Sequence, residues 1–77
     1  MITVYSTQTC PWCHKTKELL KTNNKEFKDV DVGRDRQAAM EMVQKSGQMG
    51  VPVIDIDGEI IVGFDKERIS ELLNIKT

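Results

Sequence analysis

A β-branched run that passes, within four small polar residues, into a helix opened by Cys-Pro-Trp-Cys constrains this chain more than any other feature. Ile2-Thr3-Val4-Tyr5 alternates with period two and reads as a strand, and Ser6 to Thr9 reads as a loop. Pro11 suits a first helical position, where its missing N–H is one of the unpaired ones in any case. From there Cys13, Thr16 and Leu20 share one face with Leu19 beside them, while Lys15, Lys17 and Lys21 lie largely outside. The pattern predicts a helix from Cys10-Pro11 to about Asn23, closed by the left-handed turn that Asn23-Asn24 tolerates.

The remaining segments follow the same punctuation. Phe27 to Val32 alternates as a second strand. Asp35 can cap a second helix with Ala38/Met42 and Ala39/Val43 on its apolar face, and Gly47 ends it. Val51 to Ile56 reads as a third strand. Asp57-Gly58 is a strong two-residue hairpin signal, and Glu59 to Val62 is the returning strand. Gly63-Phe64 breaks that strand, Asp65 can cap, and Ile69, Leu72 and Leu73 mark a last amphipathic helix. The order β-α-β-α-β-β-α predicts an α/β fold, a four-stranded mixed sheet flanked by three helices. Its first two strands should be parallel through a right-handed crossover and its closing hairpin antiparallel. Pro52 donates no hydrogen bond and belongs at a strand start or an edge.

Composition narrows the function. Seventy-seven residues suit a single domain over 1–77, which at this size buries about 60% of its unfolded surface. Eleven basic against twelve acidic residues give a net charge of −1, which argues against a nucleic-acid module. No basic region precedes a long apolar stretch, so no secretory signal is read. The longest aliphatic run, Ile60-Ile61-Val62, is far too short for a membrane span. Cys10 and Cys13 are too few and too close to staple a secreted fold. The default expectation is the reducing cytoplasm, where such a pair is catalytic or metal-binding.

The spacing has a chemical logic. With Pro11 as the first helical residue, Cys10 is the N-cap, and its sulfur faces the free amides of Trp12 and Cys13 and the positive end of the helix dipole. Both favour a thiolate over a thiol. Cys13 should lie deeper, behind the first turn, with a higher pKa. Cys10 would then attack a substrate disulfide and Cys13 would resolve the mixed disulfide. Pro11 stiffens the turn. Three rival readings compete. The pair could be inert and buried. It could hold zinc or an iron–sulfur cluster, although two cysteines and His14 fall short of four ligands without a second chain or an external thiol. Cys10 to His14 also matches the c-type haem pattern, but that attachment normally follows export and a mostly helical fold.

Val4-Tyr5-Ser6-Thr7-Gln8-Thr9-Cys10-Pro11-Trp12-Cys13, the Val51-Pro52 strand start and Gly63-Phe64-Asp65 together resemble the glutaredoxins, in particular their short bacterial relatives, over essentially the whole chain. The resemblance implies a thioredoxin-like fold and a cis Val51–Pro52 bond, with Pro52 against the cysteine pair. It implies that Val51 pairs with the cysteine-bearing strand of a substrate or of glutathione, that Tyr5 flanks the site, and that Phe64 and Asp65 hold the far end of the ligand. Asp65 also has the competing role of N-cap. Disulfide-containing proteins are the implied substrates and glutathione or thioredoxin reductase the implied electron donor. No bound cofactor and a monomeric state are expected. A second reading from the same cysteines is an iron–sulfur or metal carrier bridging two chains through Cys10 and glutathione.

Several positions depart from the glutaredoxin pattern. Thr7 stands where the family usually carries a lysine that pairs with a glutathione carboxylate, Gly50 replaces the threonine of Thr-Val-Pro, and Val62 replaces the first of two glycines. Gly63-Phe64 resembles instead the redoxins that serve ribonucleotide reductase and draw on thioredoxin reductase. That subgroup typically has a tryptophan nearby, whereas Trp12 is the sole tryptophan here. Trp12 is a candidate contact for protein substrates or a tuner of the turn. His14 and the lysines of the first helix are read as solvated, and Met40, Met42 and Met49 as core and loop packing.

Overall fold

The fold was obtained as a computed structural model, and the structure describes residues 1–75; the last two residues of the domain expected over 1–77 lie outside the described residues. The elements run β1 (Ile2–Ser6), α1 (Pro11–Thr22), β2 (Lys28–Asp31), α2 (Arg36–Ser46), β3 (Val53–Ile56), β4 (Glu59–Val62) and α3 (Lys66–Leu73). The sheet order is β2-β1-β3-β4, with β1 and β2 parallel and β1/β3 and β3/β4 antiparallel. Together with three helices this is the α/β architecture that the pattern of elements predicts, and it is the thioredoxin-like fold that the resemblance implies.

Alternation along each strand divides the core in two. Ile2 and Val4 of β1, Ile54 and Ile56 of β3 and Ile61 of β4 pack with Leu20 of α1 and Ile69 of α3. On the other face Tyr5, Val53 and Ile60 pack with Met42 of α2. Thus α1 and α3 cover one face and α2 the other. The central strand β1 is buried on both sides, and its C-terminal end delivers the chain to the first cysteine.

Turn chemistry fixes the ends. Asp35 Oδ1 accepts the Ala38 N–H at 3.0 Å, and Asp65 Oδ1 accepts the Arg68 N–H at 3.1 Å, so both acids cap their helices as their positions predict. Asp57 and Gly58 both take positive φ (50° and 97°), the geometry of a two-residue hairpin turn whose twist matches the flanking strands. Asp55 Oδ1 accepts the Gly58 N–H at 2.8 Å and holds that turn closed.

Two boundaries differ from the sequence reading. β2 is shorter than 27–32, because pairing with β1 runs only from Lys28 to Asp31. β3 begins at Val53 rather than Val51. Pro52 has no N–H to give the ladder, and its carbonyl instead accepts the Gly63 N–H at 2.8 Å, so Val51 stands outside the sheet. The Val51–Pro52 bond is cis.

Leu20 is wholly buried between α1 and the sheet, whereas Val62 on β4 is 50% exposed. Replacing Leu20 by alanine should lower unfolding free energy by about 2–5 kcal/mol, and Val62→Ala by less than about 1 kcal/mol. Denaturant melts of the two variants check this ordering.

Candidate active site

The site grows from the junction of β1 and α1. The loop after Ser6 is held from α1, where His14 Nε2 meets the Gln8 carbonyl at 2.9 Å. The ring is exposed, as its sequence context suggests, but it is tied to the loop rather than free in solvent. Cys10 follows with extended φ/ψ (−95°, 109°) as the N-cap, and Pro11 takes the first helical position. The Cys13 amide donates to Cys10 Sγ at 3.1 Å. The sequence reading placed the Trp12 amide beside it as a second donor; the Cys10 cap bond comes from Cys13 alone. On its other side the Cys10 thiol lies 3.9 Å from the Val51 carbonyl.

The two cysteines differ sharply in access. Both are free thiols, Cys10 half-buried and Cys13 fully buried. Burial, followed by hydrogen bonding with Cys10, pushes the Cys13 thiol up to about 11, against smaller opposing effects of the Thr7 backbone and the Lys17 charge. An outer thiol at the cap with a buried one behind it is what the first turn imposes.

Beside Cys10 lies an apolar cleft of about 280 Å³ lined by Trp12, Val51, Pro52, Gly63 and Phe64. Trp12, 55% exposed, stacks on Phe64 with ring centroids 5.8 Å apart, and Lys15 Nζ sits 4.7 Å from the Trp12 ring centre. Gly63 turns the chain at φ 82°, a conformation that L side chains rarely adopt, and so brings Phe64 over to Trp12. The structure therefore gathers Cys10, Pro11, Trp12, Cys13, Val51, Pro52 and Phe64 into one region.

Two expected ligand-binding residues stand elsewhere. Tyr5 does not flank the cleft. Alternation along β1 turns its side chain to the α2 face, where it is buried, donates to Glu41 Oε1 at 3.1 Å and accepts from Lys45 Nζ at 2.9 Å. Asp65 does not line the cleft either; its carboxylate caps α3, which is the competing role given above. The methionines also divide. Met42 is core, but Met40 and Met49 are 61% and 80% exposed, because they sit on the outer side of α2 and the following loop.

Lys17 departs from the solvated reading given to the lysines of the first helix. Its side chain is only 16% exposed, and its ammonium meets Asp29 Oδ2 at 3.1 Å and Ser6 Oγ at 3.5 Å. The signal was present in the spacing: Lys17 lies four residues after Cys13 and next to buried Thr16, on the edge of the inward face.

The glutaredoxin family model matches residues 2–61, which hold the cysteine junction and the Val51-Pro52 turn. The chain belongs to the glutaredoxin family. It is 58% identical over 73 residues to a glutaredoxin-like 8.6 kDa protein of the rubredoxin operon of Clostridium pasteurianum, covering 95% of this chain and 97% of that one. It is 34% identical over 64 residues to glutaredoxin 3 of Escherichia coli, covering 83% of this chain and 77% of that one. Among solved structures, the thioredoxin-like protein BC3987 superposes with a TM-score of 0.89 at 35% identity, covering 94% of this chain and 99% of that one. The glutaredoxin-like NrdH-redoxin of Escherichia coli superposes with a TM-score of 0.81 at 28% identity, covering 92% of each chain. This glutaredoxin fold thus belongs to the thiol redoxins, and thiol–disulfide oxidoreduction is the family's general chemistry.

The Tyr5 cluster gives a test of its structural role. Lys45 also meets Asp55 Oδ2 at 2.9 Å and Glu41 Oε1 at 3.3 Å. Hydrogen bonding from Lys45 lowers the Asp55 carboxyl below its usual range despite its burial, and the same partners raise Lys45. A depressed carboxyl contributes stability above its unfolded pKa of about 3.9 and loses it as pH falls through the folded value. Lys45→Met should therefore destabilise by about 1 kcal/mol near neutral pH, with the gap from the parent narrowing below about pH 4. Denaturant melts across acid pH measure that gap.

Proposed function

We propose that this chain is a dithiol oxidoreductase that reduces protein or glutathione-mixed disulfides, with Cys10 as nucleophile and Cys13 as resolving thiol. The observation that carries the reading is the division of access: Cys10 caps the helix at the edge of the cleft, and Cys13 is sealed behind it. The Cys10 thiolate attacks one sulfur of the substrate, the substrate S–S bond breaks, and the other sulfur departs with the electron pair and takes a proton. Cys13, deprotonated, then attacks Cys10 Sγ and expels the second substrate thiolate. The two electrons given to the substrate leave a Cys10–Cys13 disulfide, which the donor reduces.

Val51 supports docking by strand addition. Its residue lies outside β3, and among the described residues no hydrogen bond involves its N–H. An extended substrate segment could pair there, with main-chain hydrogen bonds giving affinity and the Trp12–Phe64 cleft receiving an apolar side chain.

We propose further that thioredoxin reductase, rather than glutathione, is the principal electron donor. Glutathione carries two carboxylates and an amine, and among the described residues no charged side chain lines the cleft. Thr7 offers no positive charge, Asp65 is occupied as a cap, and Tyr5 is on the far face. The relation to the Escherichia coli NrdH-redoxin, whose structure is described as the basis for a thioredoxin-like activity profile, agrees with that choice.

The test offers the oxidised protein NADPH with thioredoxin reductase and, separately, NADPH with glutathione and glutathione reductase. Turnover should be at least about tenfold faster with the first system, a difference of about 1.4 kcal/mol in the barrier. Equal or faster turnover with glutathione would contradict the choice of donor. Cys10→Ser should abolish both activities, and Cys13→Ser should accumulate a mixed disulfide on Cys10, visible by intact mass. Retained turnover in Cys10→Ser would overturn the dithiol reading itself.

A further inference from the structure

The resolving thiol presents a problem that the cleft does not solve. Cys13 is fully buried, yet it must lose a proton before it can attack Cys10. The cleft reaches the Cys10 side of the helix, through Trp12, Val51, Pro52, Gly63 and Phe64. A second depression, of about 260 Å³, lies beneath α2 and touches neither cysteine. A third, polar and of about 240 Å³, is lined by Ser6, Thr7, Gln8, Lys17, Asp29 and Asp31.

That third depression adjoins Cys13 in two ways. The Thr7 backbone favours the Cys13 thiolate, and Thr7 is part of its wall. Lys17 follows Cys13 by one helical turn on the same side of α1, and its ammonium is drawn inward by Asp29 at 3.1 Å and Ser6 at 3.5 Å. The Ser6 hydroxyl in turn donates to Asp29 Oδ1 at 3.1 Å. By contrast, Lys15 and Lys21 on the same helix are exposed. A half-buried cation held by two strands, one helical turn from a buried thiol, is not a solvated surface lysine.

The geometry points to Lys17 as a positioning residue for the resolving step, its ammonium held by Asp29 and Ser6 so that the buried Cys13 can become a thiolate within the mixed disulfide. The inference rests on the dithiol reading of Cys10 and Cys13. In the mixed disulfide Cys10 carries no charge, so its repulsion of a second thiolate is gone and Lys17 is the cation left facing Cys13 from its own helix. From β2, Asp29 and Asp31 face the same depression, Asp29 opposing Lys17 directly; from the β1 end, Ser6 and Thr7 contribute neutral donors. The Cys13 proton passes to water in this polar depression, the sulfur pair forms the bond to Cys10 Sγ, and the Cys10–substrate bond breaks with its electrons leaving on the substrate sulfur.

The test uses 5,5′-dithiobis(2-nitrobenzoate) and stopped-flow absorbance. The reduced chain releases one thionitrobenzoate as Cys10 attacks and a second as Cys13 resolves. Lys17→Gln should leave the first phase unchanged and displace the pH profile of the second toward alkali by about one pH unit. At neutral pH the second phase should slow by about threefold rather than tenfold, because a less acidic thiol gives a stronger nucleophile. Lys17→Arg should restore the parent profile, and Asp29→Asn, which releases the ammonium, should move it part of the way toward alkali. A second phase in Lys17→Gln that matches the parent across pH would overturn the inference, as would failure of Lys17→Arg to restore it. If Lys17→Gln does not fold, an Asp29→Asn profile that stays in place or moves toward acid overturns it equally. Release of thionitrobenzoate by Cys10→Ser at the parent rate would instead refute the dithiol reading.

Discussion

The hydrogen bond from the Cys13 amide to the Cys10 sulfur is where fold and chemistry meet. A helix must leave its first amides unpaired, and a residue at the cap must satisfy them. Here that residue is a cysteine, so the requirement that starts α1 also aims a donor at the outer sulfur. Once Cys10 is the cap, Cys13 falls three residues later on the inward side of the first turn. The difference in access between the two thiols is a consequence of helix geometry.

The rest of the fold keeps that junction in place. β1 is the central strand, buried on both faces, and its end sets the position of the loop. Leu20 and Ile69 press α1 and α3 onto one face of the sheet, while Tyr5 and Met42 hold α2 on the other. The cis Val51–Pro52 turn brings a carbonyl to the Cys10 sulfur, and the Gly63 turn brings Phe64 against Trp12. Three separate stretches of chain, the Cys10–Cys13 turn, Val51-Pro52 and Gly63-Phe64, meet around one sulfur, and one helical turn beyond Cys13 a polar cluster joins α1, β1 and β2 through Lys17, Ser6 and Asp29.

Much of this was legible in the sequence. Periodicity gave the elements and their order. Asp35, Asp65 and Asp57-Gly58 gave the caps and the hairpin, because each acts through its nearest backbone neighbours. Cys10 and Cys13 were legible for the same reason, since the first turn of a helix is local. The place of Tyr5 is not legible because it depends on which face of β1 the side chain occupies and what α2 brings there, and both are tertiary facts. The burial of Lys17 is not legible because its partner Asp29 lies twelve residues away on another element. The exposure of Met40 and Met49 is not legible either, because apolar residues beside a helix usually find a neighbour, and here nothing among the described residues covers them fully.

Competitive alkylation of the reduced protein with iodoacetamide, read residue by residue by mass spectrometry across pH, tests the division between the two thiols most directly. Cys10 should be modified first, and Cys13 should stay unmodified in the folded chain until strongly alkaline pH, in keeping with its burial and a thiol pushed up to about 11. Modification of Cys13 at a rate equal to that of Cys10 near neutral pH would contradict the account.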